Sequence, residues 1–196
     1  MISLDRFKAK LADKTLSDKE IVQKYITDGE PFIFKDDKEP GKYFKLKNLI
    51  GRQFKLNPHE VIMIGSAKLG FSIAPHQLWK PFDEDSDIDM VILSATIFDR
   101  FWKELYEFNI NLAARTEEED GNYRKFLDYF FKGWIRPDLL PFNYTKRKWW
   151  FDFLSRSPMA NLANTKLLGQ YFGILNFTKL ITCRIYEGLE RRVSDE

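Results

Sequence analysis

The sequence predicts an α+β domain: a small mixed sheet backed by helices on one side, with extra helices at the N-terminus and in the C-terminal half. Three observations carry that prediction. An apolar run from Val61 to Ile64 stops abruptly at Gly65-Ser66. A second run, Met90 to Leu93, is preceded by Asp87, Ile88 and Asp89. Outside these runs, apolar residues recur mostly at helical spacing, with the alternation of Ile181, Cys183 and Ile185 as an exception. The expected organisation is one domain over 1–196, with an N-terminal helical part (1–56), a sheet core (57–140) and a helical C-terminal part with a late strand (141–196).

Taken in order, Leu4 to Leu11 and Ser17 to Ile26 are expected to be short helices, the second opened by a Ser17–Glu20 capping box. The charged stretch Asp36 to Gly41 is a turn. Phe44, Leu46, Leu49, Ile50 and Phe54 follow at helical spacing until Asn57-Pro58 ends the element. Strands are expected at Val61 to Ile64 and Asp87 to Leu93. Ile97, Phe98, Phe101, Trp102, Leu105 and Phe108 then mark an amphipathic helix, capped by Ser94 or Thr96. The acidic run Glu117 to Gly121 reads as a solvated loop, and Tyr123 to Trp134 as a further helix. Pro137 and Pro141 leave Ile135 to Phe142 as a short edge strand or a loop. Helices are expected at Arg147 to Leu154 and Asn161 to Gln170, and a strand at Leu180 to Tyr186.

Composition excludes several functional classes. With 31 Lys plus Arg against 29 Asp plus Glu, the chain has no general charge bias towards nucleic acid, and only local patches argue for it. No apolar run approaches the roughly 18 residues of a membrane span. The first residues lack the apolar core of a signal peptide. A single cysteine, Cys183, excludes an internal disulfide and a cysteine-based zinc cluster, which fits a reducing cytoplasm. Only His59 and His76 are present, so a histidine-rich metal site is excluded. Aromatic residues reach 16%, with 18 Phe, and predict a phenylalanine-rich core.

The chemistry concentrates between Val61 and Leu93. In a strand, Asp87 and Asp89 share a face while Ile88 points to the core. Two carboxylates close together repel, and an oxygen-preferring divalent cation relieves that repulsion. Gly65-Ser66 supplies a tight turn with free backbone N–H groups and a hydroxyl, suited to phosphate. The competing reading is a solvated acidic turn, since Asp83, Glu84 and Asp85 lie just upstream. Against it, Asp89 sits between Ile88 and Met90, where a carboxylate is costly without a partner.

Ile64-Gly65-Ser66, Gly70 and Ser86-Asp87-Ile88-Asp89-Met90 resemble the signature of the DNA polymerase β-like nucleotidyltransferase superfamily, in its small, minimal form. The pattern covers about a sixth of the chain. Two features depart from it: Leu69 stands where many small members carry Arg, with Lys68 one residue earlier. The segment between Gly70 and Ser86 is also longer, and its Trp79 and Phe82 are read either as base-stacking residues or as loop anchors. The resemblance implies a Mg²⁺- or Mn²⁺-dependent transfer of a nucleoside monophosphate from a nucleoside triphosphate to a hydroxyl on a protein or nucleic acid. Asp87 and Asp89 would hold the metal, and Gly65, Ser66, Lys68 and Ser72 the nucleotide. For Lys68 a surface lysine is the competing reading.

A third carboxylate is expected in such chemistry. Asp138 is the foremost candidate and Glu187 the next; for each, a turn or surface residue is the alternative. The size of the chain suits a cytoplasmic enzyme that modifies a partner protein, or one within a bacterial toxin–antitoxin or defence module. The alternatives are a catalytically inactive module of the same fold that binds nucleotide or a partner, and a nucleic-acid-binding protein using Lys146 to Trp150.

Overall fold

The computed structural model describes residues 1–13, 15–36, 41–110, 116–140, 144 and 172–175. The expected helices at 147–154 and 161–170, the strand at 180–186, the Lys146–Trp150 patch, Cys183 and Glu187 lie outside these residues.

Helix α1 (Leu4–Ala12) opens on Ser3, whose hydroxyl accepts from the Arg6 N–H. Helix α2 (Asp18–Ile21) carries the anticipated capping box, in which Ser17 and Glu20 bond each other's backbone N–H. It runs into a π-helical turn, Val22–Thr27, rather than continuing as α-helix. Helix α3 (Lys42–Phe54) buries Tyr43, Leu46, Ile50 and Phe54. Asn57 and Pro58 then turn the chain into strand β1 (Val61–Ile64).

Gly65-Ser66 was expected to be a simple turn, but it begins a short helix, α4 (Gly65–Leu69). Strand β2 (Asp89–Leu93) starts two residues later than expected, so Asp87 precedes the strand. Helix α5 (Ala95–Ile110) follows, with the Ser94 hydroxyl accepting from the Ile97 N–H. Helix α6 (Glu117–Phe131) incorporates the acidic run that read as a loop. The reason is local: Thr116 and Glu119 make a second capping box, and four acidic residues in the first turn complement the helix dipole. Strand β3 is only Trp134–Ile135, followed by a 3₁₀ turn at Pro137–Leu139, and β4 is Phe172–Leu175.

The described strands form one mixed sheet in the order β1-β2-β4-β3, β2 and β4 parallel and the two outer pairs antiparallel. This is the α+β class the sequence predicts. Alternation sorts the central residues onto two faces. Val61, Met63, Met90 and Ile92 join the large core with α3, α5 and α6, where Phe98, Phe126 and Phe130 stack. Ile62 and Val91 face the other way, with Ile64, Leu93 and Trp134 beside them. The N-terminal elements form a separate cluster of Phe7, Ile21, Leu69 and Phe71. Among the described residues no helix is long and apolar enough to cross a membrane.

Candidate functional site

The site is built where β1 ends and β2 begins. Ile64 pairs with Asp89 across the two antiparallel strands, so Gly65 lies beside the Asp89 carboxylate. A Cβ on Gly65 would fall 2.6 Å from Asp89 Oδ2, and Gly65 has φ of +70°. Both facts require glycine: the backbone is left-handed, and the carboxylate fills the space a side chain would need. Ile88, the residue before Asp89, is 1% exposed and belongs to the large core, as expected.

Asp89 is half-buried, and one of its two carboxylate oxygens is left without a partner. Its Oδ1 is inaccessible and has no hydrogen-bond partner. Burial pushes the carboxyl up to about 7, the negative charge of Asp87 adds to the rise, and Arg136 opposes it. Burial also raises Asp87, which is only half-buried. The two aspartates do not share a strand face, because Asp87 precedes β2, yet their carboxylates feel one another. An orphaned buried oxygen, a second carboxylate beside it and a glycine-lined approach suit a hard divalent cation held by oxygen ligands. Among the described residues, no three His, Cys, Asp or Glu side chains come together as a metal-binding group.

Asp138 follows β3 in the 3₁₀ turn, and the antiparallel course of β3 carries this turn towards the end of the sheet where Asp89 lies. There it is engaged by Arg136, whose Nε donates to Oδ1 at 3.1 Å and whose NH2 group bonds Oδ2. The Arg136 guanidinium also lies 4.9 Å from the centre of the Tyr129 ring. Arg136 went unnoticed in the sequence; the signal was its place beside Pro137-Asp138 at the end of an apolar pair.

Two other expected nucleotide ligands, Lys68 and Ser72, make contacts within the fold. Lys68 is neither a surface lysine nor a neighbour of Asp89. It is 3% exposed, and its ammonium donates to the Gly29 carbonyl. Burial lowers it to about 8 against the upward pull of Glu30 and Asp28. The charges acting on Lys68 and on Asp89 form separate sets, so α4 has a different neighbourhood at each end. Ser72 closes the long loop: its hydroxyl accepts from the Ala74 N–H at 3.1 Å, and its backbone bonds Trp79 and Lys80. Ser66 remains beside Gly65, half-buried in α4.

The loop itself is anchored by its aromatics. Trp79, at φ +66°, packs against Phe7 and Phe71, and Phe82 meets Phe32 edge-on. The loop-anchor reading of these two residues therefore describes their contacts. Gly70, which ends α4 at φ +90°, faces the Phe32 ring so closely that a Cβ would collide with it. No protein-family model matches the chain, no curated protein matches it significantly, and no solved structure does.

Proposed function

We propose that the protein is a divalent-cation-dependent nucleotidyltransferase of the polymerase β-like fold, working in the cytoplasm. The observation that supports this most strongly is the buried, unpartnered Oδ1 of Asp89, whose carboxylate lies against Gly65 with Asp87 alongside. A buried carboxylate oxygen without a partner lowers stability, and a bound cation would relieve that cost. Asp87 and Asp89 would hold Mg²⁺ or Mn²⁺, which would supply charge neutralisation for the triphosphate of a bound nucleotide. Gly65 keeps the approach to Asp89 clear, and the free backbone N–H groups and hydroxyl at Gly65-Ser66 suit phosphate oxygens. Positioning and electrostatics are most of what phosphoryl transfer needs, so this small set is chemically adequate. The acceptor is a hydroxyl on a protein or RNA, within a toxin–antitoxin or defence setting on the grounds of size.

One observation favours a second reading. Asp138 is clasped by Arg136 and joins no three-carboxylate group among the described residues. A module of the same fold that binds nucleotide without turnover would look like this. The deciding experiment incubates the protein with α-labelled ATP and Mg²⁺ or Mn²⁺, with the protein itself and bulk RNA as acceptors. Transfer that falls about a thousandfold in Asp87→Asn/Asp89→Asn and in Asp138→Ala, with triphosphate binding retained in the latter, supports the enzyme. Metal-dependent binding without any label transfer supports the module. Triphosphate affinity that is identical with and without the cation overturns both.

A further inference from the structure

The far end of α4 borders a cavity of about 440 Å³ that the proposed chemistry does not use. Its walls come from three elements: Arg6 and Lys10 from α1, Lys24 from the Val22–Thr27 turn, and Lys68 from α4. These four cations face two carboxylates, Asp28 and Glu30, so the cavity carries a positive excess. Lys10 is shared with Asp13 at 3.0 Å, whereas Arg6 and Lys24 make no ion pair among the described residues. Lys68 is the least expected member. An ammonium offers three N–H donors, and among the described residues the Gly29 carbonyl takes one of them. Burying that cation lowers stability, and it stays mainly protonated at neutral pH.

We propose that this cavity binds a phosphate monoester, with the phosphate held by Arg6, Lys24 and Lys68. Three observations select that chemistry. Cations that line one cavity from separate elements suit a tetrahedral group with three terminal oxygens better than a flat carboxylate. With Lys10 engaged by Asp13, three cations still outnumber the two carboxylates, which favours an anion such as a phosphate monoester. Ile2, Tyr25 and Leu69 complete the lining and provide an apolar wall for the ester's organic part. The π-helical turn that presents Lys24 is itself an irregularity found frequently at functional sites. Because Lys68 and Asp89 lie in separate charge neighbourhoods, binding here needs neither a divalent cation nor the aspartate pair.

The test is calorimetry on the full chain with phenyl phosphate as probe, in a chelator-containing buffer free of divalent cations. Saturable binding is expected, weakened at least fivefold in Arg6→Gln/Lys24→Gln, whose side chains are exposed and whose loss leaves the core intact. Asp87→Asn/Asp89→Asn is expected to bind as the wild type does. Lys68→Met is expected to weaken binding further, but the exposed pair keeps the test decisive if that variant does not fold. No saturable binding, a loss below fivefold in the Arg6/Lys24 variant, or a loss of fivefold or more in the aspartate variant overturns the proposal. Since no metal is present, the outcome does not depend on whether the protein transfers nucleotides.

Discussion

The two ends of α4 bury opposite charges and treat them differently. At its start, beside Gly65, the Asp89 carboxylate has an oxygen with no partner and is raised to about 7. At its end, Lys68 is more thoroughly buried, yet its nitrogen meets the Gly29 carbonyl and feels Glu30 and Asp28. The five-residue helix α4 thus runs between a carboxylate with one unpartnered oxygen and a cation that meets an acceptor. The difference is that one oxygen of Asp89 faces no donor, whereas the Lys68 nitrogen already meets an acceptor. The deciding criterion is the number of polar atoms that face the group; depth alone would rank Lys68 first.

The contrast can be broken most severely at Gly65. Gly65→Ala is expected to destabilise the protein by about 3 kcal/mol, from left-handed backbone strain plus collision with Asp89. In an Asp89→Ala background the collision is gone, and the cost should fall to the roughly 1–2 kcal/mol of the backbone alone. Equal costs in the two backgrounds, measured by denaturant unfolding as a double-mutant cycle, would show that Gly65 does not serve the carboxylate.

A smaller effect sharpens the Asp89 side. Asp89→Asn should stabilise the metal-free protein at neutral pH by on the order of 2 kcal/mol, since a desolvated charge beside Asp87 is removed. The folded carboxyl titrates near 7 and the unfolded one near 3.8. The folded state therefore binds more protons between these values, and wild-type stability should decline as pH rises from about 4 to 7. Thermal unfolding across that range in a chelating buffer should show the decline in the wild type and a flatter profile in the variant. An unchanged profile would mean that Asp89 is not the buried ionising group.

The smallest effect belongs to Lys68, where the sign reverses. Its folded value of about 8 lies below the ordinary 10.5, so the unfolded chain binds more protons between the two and stability should rise with pH over that window. The carboxylates of Glu30 and Asp28 limit the rise, while the like charge of Lys47 adds to it. Lys68→Met should remove it. Unfolding measured from pH 8 to 10 with an identical slope in both proteins would show that the cation is not what titrates there.

Much of the local structure was legible from local patterns. β1 matches its apolar run, the Ser17–Glu20 box caps α2, and Ile88 is core while Asp89 opens a strand. Each follows from periodicity or from a bond between residues three apart. Readings that depended on composition were less secure. Glu117 to Gly121 looked like a loop because it is acidic, yet acidic residues stabilise a helix start when a cap such as Thr116 precedes them. β4 was missed because Phe172 to Leu175 is too short a run to distinguish a strand from a helix.

The site divides along the same line. Amino-acid order alone placed a glycine after one strand and an aspartate at the start of the next, because strand ends and alternation are properties of neighbouring residues. It could not show that Gly65 and Asp89 touch, since that depends on the Ile64–Asp89 register across a loop of more than twenty residues. Nor could it assign Lys68 to Gly29, Ser72 to its own loop or Asp138 to Arg136. A side chain's chemistry is set by which groups exclude water from it and which face it. Only the packing of distant segments determines either.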